Sequence, residues 1–420
     1  MSVAPVWVWL PGQAEPVLAG ELTVMPAGGR FRYVETYLGL EQPVSLDPVE
    51  LRLTRRVRGI ALRGADGLPG VVRDARPAGY GADRLNAQAG RELSALELLQ
   101  RGVPDGVGAI EVCQDLESKL RWRPQSLESL EALLKELDQL EAPSRALRRL
   151  NGDLDTSAGG ERPKATLVHE GKLWLAKMQA RGDRPALPAR EFVTMRLAGE
   201  AGIEPARVLL RTLGEHQVLL VERFDRAGDP VRPQRRLYAS AHTVLQLQPS
   251  ATRGDPARSY LNLADRLRVW MHGREDLQRQ LELLWRRMVF NALVGNVDDH
   301  PLNHGLLHDG KGWALAPAFD ITPALTQATK EEAPMLLMAT GADGSAVASA
   351  GRLLDASVYF GLRREDAQDW LNQAARLVAG RWEGMLREAV GPVVEDAARK
   401  DALVADARAA FSYAESLARG

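Results

Sequence analysis

The chain has 420 residues, 45% apolar and 26% charged, which is the balance of a globular protein long enough for two or three lobes. A net charge of −1 excludes strong nucleic-acid binding through bulk charge alone. The single cysteine, Cys113, excludes an internal disulfide and fits a reducing cytoplasm, and no run approaches the roughly 18 apolar residues that a membrane span needs.

The first ten residues lack a basic segment and a long apolar core, so no signal peptide is expected. Short β-rich runs at 6–10, 17–24 and 30–34 predict a small β unit. A basic stretch, 52–63, reads as a solvated face or a local anion patch. The Gly/Pro-rich 67–81 segment reads as a loop, 92–100 as a helix and 107–112 as a strand. From Ser126, leucines at 127, 130, 133, 134, 137 and 140 form the stripe of an amphipathic helix with a serine cap.

Near residue 150 the texture changes. Residues 165–169 and 172–177 are two strands joined by Glu-Gly, a hairpin signal. A helix over 189–200 stops at Gly202, and strands at 207–210 and 217–222 follow. The β-β-α-β-β order predicts an antiparallel sheet with one helix, after which the chain becomes mostly helical. The strongest helix there is 277–294, with Leu277, Leu281, Leu284, Trp285, Met288 and Ala292 on one face and Gly295 as its C-cap. The tail, 363–419, reads as about three helices.

Just past that helix lies Asn-Val-Asp-Asp-His-Pro-Leu-Asn, 296–303, then a hairpin with an Asp-Gly turn over 304–316, then Asp320. An Asp, an Asn five residues on and an Asp beyond a hairpin is the order that phosphoryl transfer requires. One carboxylate, Asp298, accepts the proton of the attacking hydroxyl. The amide oxygen of Asn303 and the carboxylate of Asp320 hold Mg²⁺ against the phosphates of ATP. His300 either orients Asp298 or touches a phosphate. His300, His304 and His308 have the spacing of a zinc-binding helix face, but Pro301 and Gly305 argue against a helix there.

The turn Ser157-Ala-Gly159-Gly160-Glu161-Arg162-Pro-Lys164 is polar and Gly-containing, so its backbone can approach phosphates closely. It is not a Walker A loop. Lys177, at a strand end, can bind phosphates as a point charge or simply sit in solvent. Glu191 can pair with it or lie at the surface. Glu222 and Phe224 fall where a kinase hinge holds adenine through backbone groups.

Together these stretches resemble the HipA family of serine/threonine protein kinase toxins: 157–164, Val-Glu-Arg-Phe-Asp-Arg at 221–226, 296–303 and Pro-Ala-Phe-Asp at 317–320, with weaker likeness at 71–81 and 107–110. The resemblance implies an α+β, protein-kinase-like, two-lobed fold: an N-terminal β-rich subdomain (1–110), an N-lobe with an antiparallel sheet and a preceding helix (111–225), and a mainly helical C-lobe carrying the catalytic loop (226–420). It implies Asp298 as catalytic base, Asn303 and Asp320 as Mg²⁺ ligands, and an ATP site that includes Lys177, Glu222, Phe224, Ser157, Gly159, Gly160, Lys164 and His300. It also implies autophosphorylation at Ser157, in a loop that then leaves the ATP site. A phosphate adds about −1.5 to −2 charge, which a pocket rich in carboxylate and ATP phosphate repels.

The implied partners are a small helix-turn-helix antitoxin of the HipB kind, DNA only through that antitoxin, and a translation-related protein substrate such as an aminoacyl-tRNA synthetase. No membrane is implied. Asp299 and Glu161 depart from the family pattern. They are expected to add negative charge beside the base and in the phosphate-facing loop. Two other readings stay open: a small-molecule phosphotransferase on the same scaffold, and a non-catalytic kinase-like co-repressor.

Overall fold

The computed structural model describes residues 2–26, 28–55, 59–62, 64, 66–138, 164–179, 183–214, 216–252, 254–326 and 333–419. Its architecture is mixed α+β, β-rich toward the N-terminus and mostly helical toward the C-terminus. The chain divides into two compact units. One comprises 1–178, 222–250 and 306–313; the other comprises 179–221, 251–305 and 314–420.

The first unit opens with an antiparallel sheet in the order β4-β3-β2-β1-β5. Its strands are β1 (Ser2–Trp9), β2 (Pro16–Met25), β3 (Gly28–Tyr33), β4 (Ile60–Leu62) and β5 (Ile110–Val112). Alternation puts Ala4, Val6 and Val8 of β1 fully inside, where they meet Leu22, Phe31 and Val112. Gly20 of β2 is required by space, since a Cβ there would lie 2.4 Å from the Arg32 carbonyl and 2.6 Å from the Phe31 ring. The 67–81 segment is more ordered than its composition suggests: helices Gly70–Asp74 and Tyr80–Ala89 both begin within it. Helix Ala95–Arg101 starts at a capping box of Ser94 and Glu97.

Further on, β6 (Gln125–Ser126) pairs in parallel with β7 (Lys164–His169), which pairs antiparallel with β8 (Lys172–Met178). Helix Leu127–Asp138 is capped by Ser126, whose Oγ accepts from the Ser129 amide at 3.1 Å. The β7–β8 turn has φ of 49° at Glu170 and 70° at Gly171. Positive φ at both central residues belongs to the turn type whose twist matches a two-residue hairpin.

In the second unit, helix Leu187–Glu200 ends at Gly202, where φ is +74°, and β9 (Val208–Leu213) pairs antiparallel with β10 (His216–Glu222). The expected stripe of helix Leu277–Leu293 is buried, with Leu284, Trp285, Met288 and Ala292 fully enclosed. The tail forms two long helices rather than three, Arg364–Val390 and Ala397–Arg419. Gly380 and Gly384 do not interrupt the first, because Trp382 between them is buried and stacks on Phe411 at 4.5 Å. Such packing outweighs the roughly 1 kcal/mol that a helical glycine costs. Among the described residues no helix is long and apolar enough to cross a membrane.

Candidate active site

Helix Leu277–Leu293 ends in a left-handed turn at Gly295, where φ is +60°. The Asn296 amide donates to the Asn291 carbonyl at 2.8 Å and the Gly295 amide to that of Ala292 at 3.2 Å. These are the two bonds that close a helix and turn the chain away. Glycine is needed twice over, since a Cβ there would lie 2.5 Å from the Ala410 carbonyl oxygen. The loop therefore leaves a fixed base.

Within the loop the two adjacent aspartates part company. Asp298 is exposed. Its carbonyl accepts from the His300 amide at 2.9 Å and from Asn303 Nδ2 at 3.1 Å. The backbone beneath the carboxylate is thus held by two donors. Because Asn303 uses its amide nitrogen in this way, its Oδ1 keeps its capacity as an acceptor.

Asp299 is wholly buried, which corrects the expectation of an added surface charge beside Asp298. The Tyr260 hydroxyl donates to its Oδ2 at 2.5 Å, and the Leu337 amide donates to its Oδ1 at 2.8 Å. Tyr260 also accepts from Asn291 Nδ2 at 3.0 Å and lies 3.2 Å from His304 Nε2. Asn296 Nδ2 in turn donates to Asn291 Oδ1 at 3.1 Å. Burial raises the Asp299 carboxyl to about 7 and lowers His304 to about 3, so the imidazole is neutral.

Asp320 occupies left-handed backbone, with φ of +57°. A non-glycine residue there is strained and persists only where its surroundings fix it. They do so on both sides. The Ala318 amide donates to the Glu204 carbonyl and the Ala318 carbonyl accepts from the Ala206 amide, at 2.9 and 2.8 Å, while Thr194 Oγ1 bonds the Ile321 carbonyl. The amides of Ala324 and Leu325 both donate to the Gly295 carbonyl at 3.0 Å, which ties this segment to the base of the loop. Asn296, Asn303, Phe319 and Ile321 line one small cavity. The fold thereby brings Asn303 to the residues on either side of Asp320.

The other expected site residues are distributed as follows. Lys164 and Lys177 are register partners across the β7–β8 hairpin, so their side chains share one face. Glu222 ends β10 and its carboxylate accepts from Lys172 Nζ at 2.7 Å. The Phe224 ring lies 6.3 Å from that of Tyr238. Glu191 is buried in helix Leu187–Glu200 rather than at the surface. His300 Nδ1 is buried with no hydrogen-bond partner among the described residues, so the imidazole does not orient Asp298 through that atom. Ser157, Gly159, Gly160 and Glu161 lie outside the described residues.

The three histidines point to separate surroundings. His304 packs edge-on against Tyr260, and His308 against Trp313. Among the described residues no group of three or more His, Cys, Asp or Glu could hold a metal alone. A pair of oxygen donors completed by phosphate and water suits Mg²⁺, which keeps much of its own hydration.

Sequence reasoning missed Tyr260, Asn291 and Asn296. A signal was present for one of them: Gln280, Arg287 and Asn291 recur at i, i+7 and i+11 along the apolar stripe, and all three are buried. It missed equally that Arg223, Asp225 and Arg226 bury their charges. Arg223 grips Asp225 through Nε and Nη2 at 2.8 and 2.9 Å and reaches Asp105 at 2.8 Å, while Arg226 meets Asp225 at 2.6 Å.

Residues 156–382 match the family model described as the HipA-like C-terminal domain. The protein Y4mE of Sinorhizobium fredii is 29% identical over 162 residues, covering 37% of this chain and 37% of Y4mE. The serine/threonine-protein kinase toxin HipA of Shewanella oneidensis is 28% identical over 152 residues, 32% of this chain and 34% of that protein. The matched stretch therefore spans about a third of either relative. A chain of the solved complex of HipA, HipB and operator DNA from Shewanella oneidensis MR-1 superposes over 98% of this chain and 96% of its own length. The TM-score is 0.69 at 19% identity, a match of fold.

Proposed function

Because this chain belongs to the HipA-like C-terminal domain family, we propose that it is an ATP- and Mg²⁺-dependent serine/threonine protein kinase, the toxin of a toxin–antitoxin pair. Bound Mg²⁺-ATP supplies the phosphoryl group and the charge that neutralises it in transfer. Asp298 accepts the proton of the acceptor hydroxyl. Asn303 Oδ1 and the Asp320 carboxylate are the oxygen donors for the metal. Lys177 and Lys164 present ammonium groups to phosphate from one face of the hairpin, with Gly159, Gly160 and His300 as further phosphate contacts. Backbone groups of Glu222 and Phe224 hold adenine, and Ser157 takes a phosphate in self-inactivation.

The observation that supports this reading best is the contrast at the loop. The Asp298 backbone is clamped while its carboxylate is exposed, and Asn303 spends its nitrogen so that its oxygen remains. On the same reading the partners are a small helix-turn-helix antitoxin, through which DNA is reached, and a translation-related substrate such as an aminoacyl-tRNA synthetase.

The test is phosphate transfer from labelled ATP, with Mg²⁺, to the protein itself and to a set of purified translation proteins. Asp298→Asn is expected to lower the rate by about 10²–10⁴. Equal labelling by wild type and Asp298→Asn, or no labelling by either, sinks the proposal.

A further inference from the structure

A second cavity is built into the first unit, lined by none of the residues assigned above. A cavity of about 90 Å³ is lined by Trp9, Asp105, Lys119, Thr166, Arg226 and Arg235, among others. A single water needs roughly 10–15 Å³ of such space, so several waters or one small oxyanion fit.

The charges around it do not balance. Arg223 pairs with Asp105 and Asp225 and Arg226 with Asp225, while Lys119 pairs with Glu111 at 3.1 Å, so the four cations here, Arg235 included, meet three carboxylates. Among the described residues Arg235 is the one of the four that forms no ion pair. The residue is 6% exposed, its guanidinium stacks 3.7 Å above the Trp9 ring, and its Nε has no acceptor among the described residues. Burial lowers it to about 10, although the fields of Glu111, Asp105 and Asp225 pull it the other way. Arginine sheds its proton too reluctantly to escape by neutralising. An unpaired buried charge is costly, and the indole face offsets only part of that cost.

Thr166 is a second donor. Its Oγ1 accepts from Arg223 Nη1 at 3.1 Å, which leaves its own O–H to give. At the mouth Arg232 adds an exposed positive charge, held loosely to Glu15 at 3.4 Å. Two carboxylates also line the space, but Asp105 is engaged by Arg223 and Glu15 by Arg232.

We propose that this cavity is a binding site for a phosphate group, received by the Arg235 guanidinium and the Thr166 hydroxyl, with Arg232 at its entrance. Arginine's fork matches the oxygens of such an anion, and the ligand would supply the negative charge that the buried cluster lacks.

The test is calorimetric titration of the full chain at low ionic strength with inorganic phosphate, with acetate and with AMP. Phosphate is expected to bind, and Arg235→Met to weaken it by at least about tenfold. Thr166→Val is expected to weaken it less, and it keeps the question open to measurement should Arg235→Met fail to fold. AMP that displaces phosphate and also needs Arg235 assigns the phosphate to a nucleotide; AMP that does not displace it assigns free phosphate. No phosphate binding by the wild type, acetate binding as tight as phosphate, or affinity unchanged in both variants overturns the proposal.

Discussion

Two of the buried polar clusters among the described residues solve the same problem with different groups. Asp299 itself is bonded by the Tyr260 phenol and the Leu337 amide, with two side-chain amides and an imidazole around Tyr260 and the Arg287 guanidinium beside them, making no ion pair with Asp299. Around Asp225 they are two guanidiniums and the Gly108 amide. The consequence for the two carboxylates is opposite. Burial drives Asp299 up to about 7. Burial also pushes Asp225 upward, but the adjacent Arg223 and Arg226 charges more than offset it and hold the carboxyl well below the usual range. One cluster can change its proton near neutral pH; the other is locked as ions.

The sharpest way to break the comparison is to remove the anion at the centre of the locked cluster. Asp225→Ala strands Arg226 in a dry setting and leaves Arg223 with Asp105 alone, and loss of one partner of a buried ion pair costs about 3–5 kcal/mol. Urea unfolding is expected to show a loss of that size. A loss below about 1 kcal/mol would mean that water reaches the guanidiniums.

Removing Asp299 should cost less, because the groups that hydrogen-bond to it are uncharged. Asp299→Ala leaves the Leu337 amide without its acceptor, a penalty of about 1–3 kcal/mol. Asp299→Asn keeps the shape and an acceptor, and should fall near the wild type. The pair of variants separates lost hydrogen bonds from lost charge.

The same aspartate sets a pH dependence. Its carboxyl titrates near 7 in the folded chain against about 4 when unfolded, so the native state holds the extra proton. The stability it contributes is fully present below about pH 4 and is lost as pH rises toward 7. Unfolding free energy of the wild type should therefore decline across that window relative to Asp299→Asn, which has no proton to lose. Parallel profiles would mean that Asp299 is ionised throughout.

These differences mark what the sequence could and could not disclose. Apolar spacing was enough for helix Leu277–Leu293, and Glu170-Gly171 was enough for the β7–β8 hairpin, because both are decided by neighbours in the chain. The candidate loop stood out for a similar reason: the order of Asp298, Asn303 and Asp320 is itself the signal, and the fold brings Asn303 to the residues that flank Asp320. Which of two adjacent aspartates faces water was not legible. That is decided by Tyr260 and Leu337, each nearly forty residues away. Arg235 is a stronger case, since the Trp9 ring it covers belongs to the first strand of the chain.

Glu222 puts the comparison on a finer scale, three residues before Asp225. Its carboxylate meets Lys172 Nζ at 2.7 Å, as short as the buried contacts, but the side chains are 48% exposed for Lys172 and 24% for Glu222. Water and salt screen such a pair, so Glu222→Gln should cost less than about 1 kcal/mol, and the cost should shrink further in high salt. Distance alone does not set the worth of an ion pair; the solvent around it does. The same variant probes the adenine contact proposed for this position. A contact made by the backbone survives the change, so ATP affinity measured by calorimetry should stay within about twofold. A tenfold loss would place the side chain itself against the nucleotide.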